Sequence, residues 1–188
     1  MKKINVIVRV TEADNLSNAI VRLFKAEVDA NSDVGGDGYL KDTFAEVEAL
    51  SASLTTAIKA DKASSNLDVA DSKRDEIIRH LNAALTGYAN LPSPAFQDAA
   101  TPLLTIMAKY KGITTESYAR ESSLIKSLLE DLSSHDAKTA IASLQGIGEL
   151  VSALTVAQNE FDQANDAFNT ATALKTESAS SLKKPLLT

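Results

Sequence analysis

The sequence predicts an all-α protein: an antiparallel helical bundle of about six helices with an extended N-terminal segment. Two observations carry this. Apolar residues recur at three- and four-residue intervals through most of the 188 residues. The residues that break helices are few, with 7 glycines and 4 prolines, and they fall between the periodic stretches. A domain of this length buries about 70% of the surface its unfolded chain exposes, so it needs no covalent staples.

The first helix is expected to start near Thr11. Thr11 and Asp14 have capping-box spacing, and Leu16, Ala19, Ile20, Leu23, Phe24 and Val28 form its apolar stripe. It ends before a loop from Asn31 to Gly38. A second helix is expected from about Leu40 to Lys62 and a third from about Asn66 to Ala89. The short polar link between them implies an antiparallel hairpin.

Leu91-Pro92 ends the third helix, because a residue before proline is pushed out of the α region, and Ser93-Pro94 is a ready N-cap and first-turn pair. Thr101-Pro102 repeats that pair, which predicts a break or kink near Ala100. Leu103, Leu104, Ile106, Met107 and Ala108 mark the most buried segment. Gly112 closes it. A fifth helix runs from about Thr115 to Leu132, a short helical turn follows at His135 to Ala142, and the last long helix covers Ile147 to Ala173. Gly146 and Gly148 mark a break or a close backbone contact at its start.

The expected organisation is an extended segment over 1–10, a bundle over 11–175 and a flexible tail over 176–188. In the first segment Ile4, Val6, Val8 and Val10 alternate as in a strand, yet the chain holds no second strand to pair with them. The segment either lies along the bundle or pairs with its copy in another molecule.

Composition excludes several functions. No cysteine means no disulfide, no thiolate zinc site and no cysteine nucleophile. A net charge of −6 disfavours nucleic acid and anionic membranes as partners. No stretch reads as a secretory signal or a membrane span, so the expected setting is cytoplasmic.

Candidate sites are weak. His80 and Glu76 are four residues apart, as are His135 and Asp131, whereas a dimetal bundle uses Glu-x-x-His at three. Asp29, Asn31, Asp33 and Asp37 begin like a calcium loop, but no start places both the sixth-position Gly and the twelfth-position Glu. Gly35-Gly36-Asp37-Gly38 lacks a preceding strand and a following lysine, so it reads as a hinge rather than a phosphate cradle. No Gly-x-Ser-x-Gly is present, and the serines have no evident base. No catalytic residue, metal ligand or cofactor is assigned.

The informative residue is Arg74, which interrupts the stripe Leu67, Ala70, Ile77, Leu81, Ala84. A guanidinium drawn into a core must be paired, and Asp71 and Asp75 are its nearest acids in sequence. It is expected to lock helix register, with anion recognition as the alternative. Asn165, between Phe161 and Phe168, is a second polar interruption of the kind that fixes register or partner. Tyr88, Tyr110 and Tyr118 read as edges of the core.

Asp71-Ser-Lys-Arg74-Asp75, with Tyr118-Ala-Arg-Glu121 leading to Ile125-Lys-Ser-Leu-Leu129-Glu-Asp131-Leu132, resembles an uncharacterised all-helical family of Bacteroides-type gut bacteria. The resemblance covers roughly Leu16 to Phe168. It implies a helical bundle in a bacterial intracellular setting and brings no activity. The expected role is a non-enzymatic helical interaction or scaffolding module, acting on a protein partner or through self-association. The alternative is a small-molecule-binding bundle with a pocket near Arg74 and the tyrosines.

Overall fold

A computed structural model describes residues 8–30 and 36–187. Among them it is all-α, with seven α-helices and one 3-10 turn. The helices are α1 (Val10–Ala30), α2 (Gly38–Asn90), α3 (Pro94–Lys109), α4 (Tyr118–Leu132), α5 (His135–Ala142), α6 (Ile147–Ala173) and α7 (Ala179–Leu186). The 3-10 turn, Ile113–Thr115, lies between α3 and α4. Most of the alternating N-terminal segment, and Asn31, Asp33 and Gly35 of the acidic loop, lie outside the described residues.

The chain divides into two compact units, Met1–Ser65 with Ala167–Thr188, and Asn66–Asp166. The expected hairpin at Ser64-Ser65 is not formed: one 53-residue helix, α2, runs through that point and contributes to both units. The linking residues contain neither glycine nor proline, and serine costs a helix well under 1 kcal/mol. The apolar stripe also keeps its phase across the link, with Leu54, Ala57, Ala60 and Leu67 all buried.

In the first unit α1 packs against α7. Ala13, Leu54, Ala57, Ala179 and Leu182 form the core, with Val8, Val10, Leu50, Ile58 and Leu186 against it. The tail expected from Thr176 thus holds a helix instead. Ser178 caps it by accepting from the Ser181 N–H at 3.1 Å, and Ala179 and Leu182 supply the buried face. At the other terminus the cap sits two residues before the expected Thr11. The Arg9 N–H donates to Glu12 Oε2 at 2.7 Å, which is the returning half of a capping box.

The second unit is centred on Leu81, Leu85, Leu103, Ile125, Leu128 and Leu154, each without exposed surface. Helix α3 packs against α4 and α5. It starts at Pro94 with Ser93 as its N-cap residue, and it continues through Pro102 without the expected break. Asp98, whose carbonyl Pro102 leaves without its helical donor, is exposed, so water can serve that carbonyl. Only part of the apolar run is deeply buried: Leu103 and Met107 are inside, Leu104 and Ile106 are half-buried, and Ala108 is exposed. The turns at Gly112 and Gly146 have φ of 84° and 83°, the left-handed region that a side chain disfavours. Helices α5 and α6 occupy the spans expected for them.

Candidate functional site

Within the second unit, the apolar stripes of three helices are each interrupted by a polar residue at one place. Helix α2 brings Arg74, α4 brings Glu121 and α6 brings Gln158. Arg74 has no exposed surface, and Glu121 and Gln158 have 2% each. Helical spacing puts them there: Arg74 follows Leu67 and precedes Ile78 and Leu81, Glu121 precedes Ile125 and Leu128, and Gln158 lies between Leu154 and Phe161.

The guanidinium is held on four sides. Nη2 donates to Asp71 Oδ1 at 2.7 Å and to Glu121 Oε2 at 3.0 Å. Nη1 donates to Ser122 Oγ at 2.9 Å and to Gln158 Oε1 at 3.0 Å. Its flat face lies over the Phe161 ring, 3.4 Å from Cζ to the centroid, a cation–π contact between two buried side chains. Phe161 in turn meets the Tyr118 ring edge-on at 5.4 Å, and the Tyr118 hydroxyl donates to Asp68 Oδ1 at 2.9 Å. Gln158 passes the network outward: Nε2 donates to Asp162 Oδ1 at 2.7 Å, and Lys126 Nζ pairs with Asp162 Oδ2 at 3.0 Å.

Three carboxyl groups surround this one arginine, and they do not share its charge equally. Burial is the main cause that pushes Glu121 up to about 8; the neighbouring Asp71 and Asp75 add to it, and the Arg74 charge opposes it. Glu121 is therefore largely protonated at neutral pH, and Asp71 takes the shorter of the two Nη2 hydrogen bonds, 2.7 Å against 3.0 Å. Asp75 is also raised, by burial first and by Asp71 next. Glu121 Oε1 and Asp75 Oδ1 are both buried without a hydrogen-bond partner. A proton on Glu121 removes one of the two negative charges from this buried place. Arg74 Nε has no protein acceptor. The Tyr118 phenol is pushed up to about 12, mainly because it donates to the Asp68 carboxylate.

The cluster therefore contains Arg74, Asp71 and Asp75 as the sequence reading named them, with Asp71 the nearer of the two carboxyl groups bonded to the guanidinium. It also contains Glu121, Ser122, Gln158 and Phe161, which that reading passed over. A usable signal was present: Glu121 and Gln158 stand at stripe positions of their own helices, as Arg74 does. Asn165 is half-buried two turns beyond Gln158 on α6, and none of the Arg74 hydrogen bonds reaches it. With its guanidinium wholly covered, the cluster is built to hold three helices together.

The chain belongs to DUF6261, a family of unknown function. Its family model matches residues 64–186. No curated protein and no solved structure matches the chain. Every residue of the Arg74 cluster lies inside the DUF6261 match, whereas α1 and the first part of α2 lie before it.

The other candidates fall on the surface. His80 Nε2 stands 3.9 Å from Glu76 Oε1 with both side chains more than half exposed. Asp131 accepts from Lys109 Nζ and the Tyr110 hydroxyl, both at 3.1 Å, and these two bonds lower its pKa. Burial and the same bond to Asp131 raise the Tyr110 phenol. Among the described residues no group of three or more His, Asp or Glu is placed to hold a metal ion. The Tyr88 hydroxyl donates to the Gln145 carbonyl at 2.8 Å. A cleft of about 500 Å³ opens beside Tyr110, floored by Ile78, Leu104, Met107 and Ile113 and rimmed by Arg79 and Lys111.

In the first unit the α1 stripe is only half used. Ala13 and Ser17 face inward, the Ser17 and Ser51 hydroxyls share a hydrogen bond at 2.9 Å, and the Phe24 and Phe44 rings stack with centroids 3.8 Å apart. Leu16, Ile20 and Leu23, expected on the buried stripe, are 54%, 38% and 72% exposed. The contact with α2 uses serines, Asp14 and Thr55 where leucines were expected. No helix is long and apolar enough to cross a membrane among the described residues.

Proposed function

We propose that this chain is a non-enzymatic helical interaction or scaffolding module, working in the cytoplasm of a bacterium. The observation that carries the reading is the outward apolar face of α1, where Leu16, Ile20 and Leu23 lie together in solvent. Single exposed apolar residues are common, but a continuous helical stripe of them is the pattern of a helix that meets a partner. The buried Arg74 cluster serves this role by fixing the second unit rather than by contacting a ligand.

A photo-crosslinking residue at position 23 tests the reading, with position 59, exposed and polar on α2, as the control. A discrete protein adduct from position 23 alone is expected. The same pattern from both positions contradicts it.

The alternative, a small-molecule-binding bundle, draws support from the cleft beside Tyr110 and none from Arg74, whose guanidinium is closed to solvent. Its volume lies within the range of ligand pockets. Thermal-shift screening against metabolites is its test, since a ligand at 100 times its dissociation constant adds about 2.7 kcal/mol.

A further inference from the structure

At 100° per residue, Leu16, Ile20 and Leu23 fall within about 60° of arc on α1, and Glu12 and Glu27 fall on the same arc beyond either end of the stripe. The covered residues Ala13, Ser17, Phe24 and Val28 lie on the adjoining arc, and Arg22 lies about 100° round from Leu23 on the opposite side. The outward face is thus an apolar centre between two carboxylates about 22 Å apart along the axis. Both glutamates are exposed.

A second copy of this chain is a poor occupant. Leu16 and Leu23 are symmetric about the point between Ala19 and Ile20, and so are Glu12 and Glu27. An antiparallel pairing that sets Leu16 on Leu23 of the other copy therefore sets Glu12 on Glu27 at both ends. A parallel pairing sets each glutamate on itself. Like charges juxtaposed at both ends penalise either arrangement.

We infer that the outward face of α1 docks a basic amphipathic helix of a partner protein. Its apolar stripe lies on Leu16, Ile20 and Leu23, and its cationic ends lie on Glu12 and Glu27. This rests on the interaction-module reading and adds the chemistry of the partner. The symmetry that disfavours self-pairing lets a helix with a base at each end dock in either direction.

The test uses the full chain and two labelled synthetic helical peptides read by fluorescence anisotropy. Both carry the same apolar residues at i, i+4 and i+7; one has lysines at its two ends and the other glutamates. The lysine peptide is expected to bind about tenfold more tightly at low salt, with the difference shrinking as salt rises. Leu16→Ser with Leu23→Ser removes its binding, and Glu27→Lys cuts the preference several-fold while circular dichroism stays unchanged. Equal binding of both peptides, lost in the leucine double variant, overturns the basic partner and leaves the interaction face standing. Binding of neither peptide, or binding untouched by the double variant, overturns both. Self-association of the chain that the double variant abolishes, or co-sedimentation with phosphatidylcholine vesicles that it abolishes, also overturns the inference.

Discussion

Arg74 Nη2 lies 3.0 Å from Glu121 Oε2, joining α2 to α4 through a contact with almost no solvent access. The same guanidinium reaches α6 through Gln158, so one side chain ties three helices. A charge in such a place is retained at the cost of its hydration, and it persists because its partners are already oriented. Glu121 meets the same difficulty differently, by holding a proton.

Truncation of the arginine should be worse than replacing it with a side chain of similar length. Arg74→Ala leaves a void and an uncompensated Asp71, and it is expected to cost about 3 to 5 kcal/mol. Arg74→Met leaves the same Asp71 without its partner but fills the void over Phe161, so it should lose less than alanine by the packing alone. Urea denaturation midpoints of the two variants decide the order.

Stability should fall with rising pH across the neutral range. Burial raises the Glu121 carboxyl in the folded chain to about 8, well above its ordinary value of 4.5, so the folded chain binds the proton that the unfolded chain releases. The stabilisation is complete below the unfolded pKa and is lost as pH rises through the folded one. Glu121→Gln carries no such proton, and its stability relative to the unmodified chain should improve from pH 5 to pH 9. Urea midpoints for both proteins at pH 5, 7 and 9 measure this; parallel curves would contradict the protonated carboxyl.

The continuity of α2 makes Ser65 a discriminating position. Within one unbroken helix Ser65→Pro removes a hydrogen bond and clashes with the preceding turn, for a loss of about 3 kcal/mol or more. A turn between two helices would accept proline with little change. Calorimetric melting of the variant separates these outcomes.

The glycines at the start of α6 should respond in opposite directions. At Gly146, with φ of 83° and nothing within 4 Å of an added Cβ, alanine meets only backbone strain, for a loss of about 1 kcal/mol. At Gly148 an added Cβ meets Ile141 Cγ2 at 3.7 Å, an ordinary contact, so Gly148→Ala should gain a few tenths of a kcal/mol from helix propensity. Thermal melts of the two variants give the signs.

Periodicity alone located α5 and α6, and it singled out Arg74 because a charge stood in a leucine stripe. The error at residues 62–66 came from reading polarity as a turn, when the in-phase Ala60 and Leu67 and the absence of a breaker favoured continuation. The break expected near Ala100 is not formed, because proline lost its hydrogen bond on the exposed side of α3. The outward α1 stripe could not be foreseen, since nothing in its spacing says that Ser17 and Ser51, rather than Leu16 and Leu23, make the contact with α2. Glu121 and Gln158 were legible in principle, as polar residues at stripe positions, but their convergence on Arg74 needs tertiary structure.

Arg74 and Glu121 act as one buried unit across two helices. A double-mutant cycle of Arg74→Met and Glu121→Leu, each of which removes the contact between them, is read by urea denaturation at pH 7. A coupling of about 0.5 to 3 kcal/mol is expected. Additivity within about 0.3 kcal/mol would contradict it.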